Sequence, residues 1–147
     1  MRNKLSVAFV WHMHQPFYKD LVTGEYMLPW VRLHAIKDYY DMAAYLDDFP
    51  TIRSTYNVVP SLLTQIEVYA DGTARDKYLE LSLRFPQDLS SDEKIFILKN
   101  FFMANWNTMI QPYPRYADLL LKRGRFVTLE DIADVSKRFS NREIFDL

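Results

Sequence analysis

Val10-Trp11-His12-Met13-His14-Gln15-Pro16-Phe17 follows a short apolar run near the start of the chain. Residues 5–11, rich in Val and Phe, read as a buried strand. A cluster of imidazole, indole and amide groups where a first strand ends is where α/β enzymes place their chemistry. Working outward, residues 12–29 read as a long loop carrying Pro16, Gly24 and Pro29. Its aromatic residues Phe17, Tyr18 and Tyr26, with Trp30 just beyond, argue for an ordered, functional loop.

Residues 30–49 follow as a helix, with Ile36, Tyr39, Tyr40, Ala43, Leu46 and Phe49 recurring at three- and four-residue steps on an apolar face, and Pro50 ending it. Residues 51–59 are β-branched and read as a second strand, and Pro60 opens a helix over 60–69. Asp71-Gly72 breaks the chain before a helix over 73–84. Ser90-Ser91-Asp92-Glu93 caps a helix reaching about Asn105. Helices over 113–123, closed by Gly124, and over 128–139, capped at Thr128, complete the order, and residues 143–147 read as the start of a further element. A strand, a helix and a strand imply a parallel pair joined by a right-handed crossover. Two parallel strands cannot cover their own faces and edges. The expected fold class is therefore α/β: the first β-α-β unit of a larger sheet or barrel, truncated, with a helical insertion after the second strand.

Composition narrows the function. The 147 residues are 49% hydrophobic, enough for a core, and 18 basic residues against 19 acidic ones leave a net charge of −1. That balance gives no electrostatic basis for nucleic acid or anionic lipid as a partner. With no cysteine there is no disulfide, thiol nucleophile or Cys-ligated zinc. The start, Met1-Arg2-Asn3-Lys4, is basic, but the apolar run after it is too short for a signal peptide or a membrane span, so the expected location is the cytoplasm. Ten Tyr, ten Phe and three Trp exceed what a small core consumes, which fits either an aromatic core or a stacking surface for sugars or bases.

Three sets of residues bear on chemistry. His12 and His14 stand two apart, so a strand running through them places both on one face, where they can hold a metal, bond a ligand, relay protons or serve structure alone. Gln15 adds a donor and an acceptor suited to a sugar hydroxyl. Trp11 and Trp30 bracket the loop with indole faces that suit a pyranose or a core, and Arg32 and His34 at the start of the long helix are within reach of the same cleft. The acidic residues Asp20, Glu25, Asp38, Asp41, Asp47 and Asp48 read as solvated charges. There is no Gly-x-Ser-x-Gly elbow and no phosphate-binding glycine loop.

Trp11-His12-Met13-His14-Gln15-Pro16, then Leu28-Pro29-Trp30-Val31-Arg32-Leu33-His34-Ala35 and Tyr56-Asn57-Val58-Val59-Pro60-Ser61-Leu62-Leu63, resemble the N-terminal part of family 57 glycoside hydrolases, α-amylase-like enzymes of α-glucans. The resemblance implies an incomplete seven-stranded (β/α) barrel, of which this chain supplies the first two strands. It also implies retaining cleavage or transfer of α-glucosidic bonds without a metal or other cofactor. His14 and Gln15 would hold substrate hydroxyls with His12 beside them, and Trp30, Arg32 and His34 would extend the cleft. The nucleophilic glutamate and the acid/base aspartate of that family come from later strands, so residues 1–147 are expected to be an N-terminal segment that holds an α-glucan or oligosaccharide but carries no catalytic carboxylate. Completion would come from the C-terminal part of the barrel or from self-association. Two other readings stand beside it: a metal-dependent hydrolase built on the His-x-His pair, as in amidohydrolase-type enzymes, and a non-enzymatic, oligomeric α/β binding module.

Overall fold

The first strand forms where a neighbour is available. β1 (Val10–Met13) pairs in parallel with β3 (Thr55–Val58), Val10 opposite Thr55 and Met13 opposite Val58. The Thr55 amide donates to the Phe9 carbonyl (3.0 Å) and the Val59 amide to the Met13 carbonyl (3.3 Å), extending the ladder at each end. The computed structural model describes residues 5–128 and 130–147. The basic start (residues 1–4) and Leu129 of the Thr128 cap lie outside the described residues. The strand thus begins later than the apolar run predicts: Leu5 and Val7 have no partner strand, and β1 carries His12 inside it and His14 one residue beyond.

Residues 30–48 are helical throughout, but not as one α-helix. α1 (Trp30–His34) passes into a π-turn (Ala35–Tyr39), then α2 (Tyr40–Ala44) and a 3₁₀ turn (Tyr45–Asp48). The extra residue of the π-turn rotates the helical residues after it about the axis. Ile36, Tyr40 and Phe49, expected on the apolar face, are exposed, whereas Val31 is fully buried. α3 (Pro60–Ala70) starts at Pro60 as predicted and packs on α1, so that Met13, Val31 and Leu62 form the core of the first of two compact units. That unit ends at Lys77.

The segment expected to be helical from residue 73 enters a second parallel pair first: β2 (Glu25–Tyr26) with β4 (Arg75–Asp76). Side chains account for the difference. Arg75 bonds the Glu25 carboxylate and the Thr23 carbonyl, and Asp76 takes Arg32, so these residues are captured before α4 (Lys77–Ser82) can extend backwards. β2 in turn lies inside what the sequence presents as loop. Asp20 accepts from the Val22 amide (2.7 Å) and Gly24 adopts φ +75° to close the turn.

The second unit, from Tyr78, is helical. α5 (Ser91–Asn100) carries the predicted capping box of Ser90 and Glu93. It stops short of Asn105, because the Asn105 side chain accepts from the Asn107 and Thr108 amides and opens a second π-turn (Trp106–Ile110). α6 (Pro114–Arg123) ends at Gly124, whose φ of +92° suits no other residue. α7 (Ile132–Ser136) is shorter than predicted, and α8 (Asn141–Phe145) opens on a second capping box, Ser140 with Glu143. Leu98, Ile110, Leu119, Ile132 and Ile144 lie in one apolar core. Among the described residues no helix is long and apolar enough to cross a membrane.

Glu143 ties this unit together, accepting from Lys122 (2.6 Å) and from the Ser140 amide (2.8 Å). The Lys122 bond first, and the Ser140 amide second, pull its carboxyl from 4.5 down to about 2. A carboxyl lowered on folding contributes stability that is complete above 4.5 and is lost as pH falls towards 2. Acid titration followed by circular dichroism is expected to show this loss, and Glu143→Gln to flatten it; an unchanged pH profile in that variant would contradict the assignment. Ser140→Ala is expected to cost about 1 kcal/mol in urea unfolding.

Candidate functional site

The residues after β1 are held by one amide. Gln65 sits on the inward face of α3, one turn after Leu62, and is wholly buried. Its Oε1 accepts from the Tyr18 amide (2.8 Å), and its Nε2 donates to the Pro16 carbonyl (3.0 Å) and the Ser61 carbonyl (2.9 Å). The turn over residues 15–18 has few backbone partners of its own, and Gln65 supplies them.

With that turn fixed, Gln15 points between two tyrosines. Its Nε2 donates to the Tyr39 hydroxyl (3.2 Å), and its Oε1 accepts from the Tyr18 hydroxyl (3.2 Å). Tyr39 also donates to the His14 carbonyl (3.3 Å). Burial, and then the neighbouring Tyr39 phenol, push the Tyr18 hydroxyl up, so it remains a protonated donor. Along β1, Met13 faces the helices and is buried; His12, its neighbour in the strand, points to the other side and is exposed. The His12 and His14 rings lie edge to face, with centroids 5.9 Å apart.

The start of the long helix divides its residues between two sides. Trp30 and His34, one turn apart, have ring centroids 6.5 Å from each other, and His34 lies 6.2 Å from Tyr39. Tyr39 therefore links the Trp30–His34 face to the His14-Gln15 turn. Arg32 goes elsewhere. Its Nε donates to Asp76 (3.0 Å), a fully buried carboxylate that also accepts from the Tyr69 hydroxyl (3.0 Å). Burial first, and the Asp76 charge second, push the Tyr69 hydroxyl up, and the Tyr26 ring lies tilted against the Tyr69 ring with centroids 4.8 Å apart. Arg32 thus clamps the helix to β4, whereas His12, His14, Gln15, Trp30 and His34 share a half-exposed polar and aromatic surface with Tyr39 and Tyr18.

Two carboxylates beside the long helix, Asp38 and Asp76, are committed to cations. Asp38 accepts from Lys37 (2.7 Å) and lies 2.5 Å from His34 Nδ1, and these two bonds, Lys37 first, hold its carboxyl below the usual range. Among the described residues no group of three or more His, Asp or Glu is arranged to hold a metal, so His12 and His14 have no third ligand there. A cavity of about 390 Å³ lies in the second unit, lined by Leu81, Phe85, Ile97, Phe101 and Ile144. Its charged margins are paired, Arg84 with Glu93 and Asp146 with Arg115.

In sequence Tyr18 reads only as a loop aromatic and Tyr39 as part of an apolar stripe, and Gln65 and Asp76 carry no site expectation. For Gln65 a signal existed: the spacing Leu62, Gln65, Ile66, Tyr69 places a polar residue on the apolar face of its helix, and a buried amide there needs partners. For Tyr39 none existed, because a regular helix puts it elsewhere.

A parallel strand–helix–strand unit, with a polar and aromatic cluster at the C-terminal end of its first strand, defines a unit of the α/β class. The chain belongs to glycosyl hydrolase family 57, whose family model matches residues 8–144. No match was found among curated proteins or among solved structures. Membership brings a glycoside hydrolase or glucanotransferase type of function.

Gln65→Leu leaves the Tyr18 amide and the Pro16 carbonyl without their partner, and an expected cost of about 3 kcal/mol follows in urea unfolding. A change within about 0.5 kcal/mol, the size of an ordinary surface substitution, would mean that the turn is held by something else.

Proposed function

We propose that this chain is the substrate-holding N-terminal part of a retaining, cytoplasmic family 57 enzyme that cleaves or transfers α-glucosidic bonds in α-glucans or oligosaccharides. The observation that carries this reading is the place of exposed His12 near the end of β1, with exposed His14 and half-buried Gln15 just beyond it: the two rings meet at the surface and the Gln15 amide is held between two tyrosines rather than in a core. In the proposed complex Gln15 and His14 take hydroxyls of the sugar at the scissile bond, His12 stands beside them, and Trp30 and His34 offer ring faces. Arg32 acts through Asp76, by fixing the helix that carries Trp30 and His34.

Retaining hydrolysis needs two carboxyl groups about 5–5.5 Å apart, one as nucleophile and one as acid and then base. The account assigns both to further strands of the barrel, because Asp38 and Asp76 are already bonded to cations. Those strands would pair with the open edges of the β1–β3 sheet and cover apolar residues such as Val10 (62% exposed) and Val58 (41%). Hydrogen bonds from His14 and Gln15 that tighten as the ring flattens towards an oxocarbenium ion would contribute to rate as well as to binding.

In the natural polypeptide that carries this segment, His14→Ala and Gln15→Ala are each expected to lower kcat/KM for maltooligosaccharides by about tenfold or more. Turnover unchanged in both variants, with no maltooligosaccharide binding by isothermal titration, would overturn the reading. The same exposed strand residues favour a second reading, a self-associating binding module. Sedimentation of a clean monomer that unfolds cooperatively would count against it.

A further inference from the structure

Tyr39 reads in sequence as one of a stripe of core residues, and the structure gives it a different place. In an α-helix, residues five apart point about 140° away from each other. The π-turn (Ala35–Tyr39) instead brings Tyr39 to the ring of His34, and its hydroxyl reaches the His14-Gln15 turn. Single π-turns inside helices are frequent at functional sites.

The bonding at that hydroxyl favours one arrangement, the one that keeps all three hydrogen bonds. A phenol has a single hydrogen. Tyr39 gives it to the His14 carbonyl, which has no hydrogen to return. The Tyr39 oxygen can then only accept from Gln15, so the Gln15 atom facing it must be the NH₂ group. With the amide reversed, Tyr39 could donate to Oε1 only by giving up the His14 carbonyl, so one of the three bonds would be lost. Tyr18 exerts no such constraint: its hydroxyl donates to Oε1 here, but among the described residues it has no other acceptor, and it can turn to accept from an NH₂ group. The orientation of the amide therefore depends on Tyr39, and Tyr18 adapts to it.

We propose that Tyr39 is a positioning residue that locks the Gln15 amide in one orientation, so that the site reads neighbouring sugar hydroxyls in one sense. This deepens the sugar-holding role proposed above and rests on it. One Nε2 hydrogen and one Oε1 lone pair remain for ligand. A hydroxyl facing Oε1 must donate, and a hydroxyl facing Nε2 must accept. Fluorine in place of a hydroxyl accepts weakly and cannot donate, so it separates the two positions, whereas a natural hydroxyl does either.

The test uses the natural polypeptide and two measurements. The first is the set of nuclear Overhauser contacts from the Gln15 side-chain NH₂. In the wild type they are expected to reach the Tyr39 ring and not the Tyr18 ring; contacts to both rings would overturn the proposal whatever the sugar result. The second is binding of maltotrioses monofluorinated at one hydroxyl at a time. The wild type is expected to show a spread in Kd of about tenfold across the probes, which corresponds to one hydrogen bond lost at one position and kept at another. In Tyr39→Phe the spread falls to about twofold as the amide turns freely, and in Tyr18→Phe it persists. A spread that survives Tyr39→Phe overturns the proposal. One-sided contacts with no binding of any maltotriose would sink the sugar-holding role and leave the lock in place.

Discussion

The buried amide of Gln65 is the constraint on which the rest of the first unit depends. Residues 15–18 follow β1 outside any helix or strand and have little backbone pairing of their own, so their peptide groups need partners from outside. Gln65 meets that need from the buried face of α3, and its third bond, to Ser61, keeps its own amide from rotating. The turn is therefore stiff before any ligand arrives. In the proposed sugar-holding role that matters, because each side chain ordered on binding lowers the affinity that remains.

A second division of labour runs along the long helix. Trp30 and His34 face the His14-Gln15 turn, while Arg32, between them in sequence, turns to the buried Asp76. A buried carboxylate without its cation would be costly, so the pair fixes where the helix starts and hence where the two rings stand. The π-turn then delivers Tyr39 to the same surface. Buried contacts and surface-facing side chains alternate along this helix, and the break in helical register is what allows both.

Much of this was legible in the sequence, and the failures have physical causes. The parallel strand–helix–strand order, Pro60 at the start of α3, the Ser90 capping box and the Gly124 stop are local signals, and each appears in the structure. The polar cluster was legible from residue types at a strand end, and the motifs at residues 11–16, 28–35 and 56–63 pointed to the family that the chain belongs to. The hidden features were non-local. Arg75 and Asp76 sit in a stretch of helical propensity but are captured by Glu25 and Arg32, partners some fifty and forty-four residues away. The π-turn has no periodic signature, so the sequence pattern through Ile36 and Tyr40 mimics an apolar stripe and conceals the role of Tyr39. Arg32 groups with its neighbours in sequence because spacing alone does not tell a clamp from a cleft residue.

The central claim is that the turn after β1 is where this family 57 chain holds its sugar. A crystal structure of the natural polypeptide with bound maltotetraose tests it most directly. The account predicts a glucose hydroxyl within hydrogen-bond distance of Gln15, with the Gln15 NH₂ still on the Tyr39 hydroxyl and the Trp30–His34 face lining the same cleft. A sugar bound elsewhere, with the His14-Gln15-Pro16 turn covered by protein and out of its reach, would contradict it.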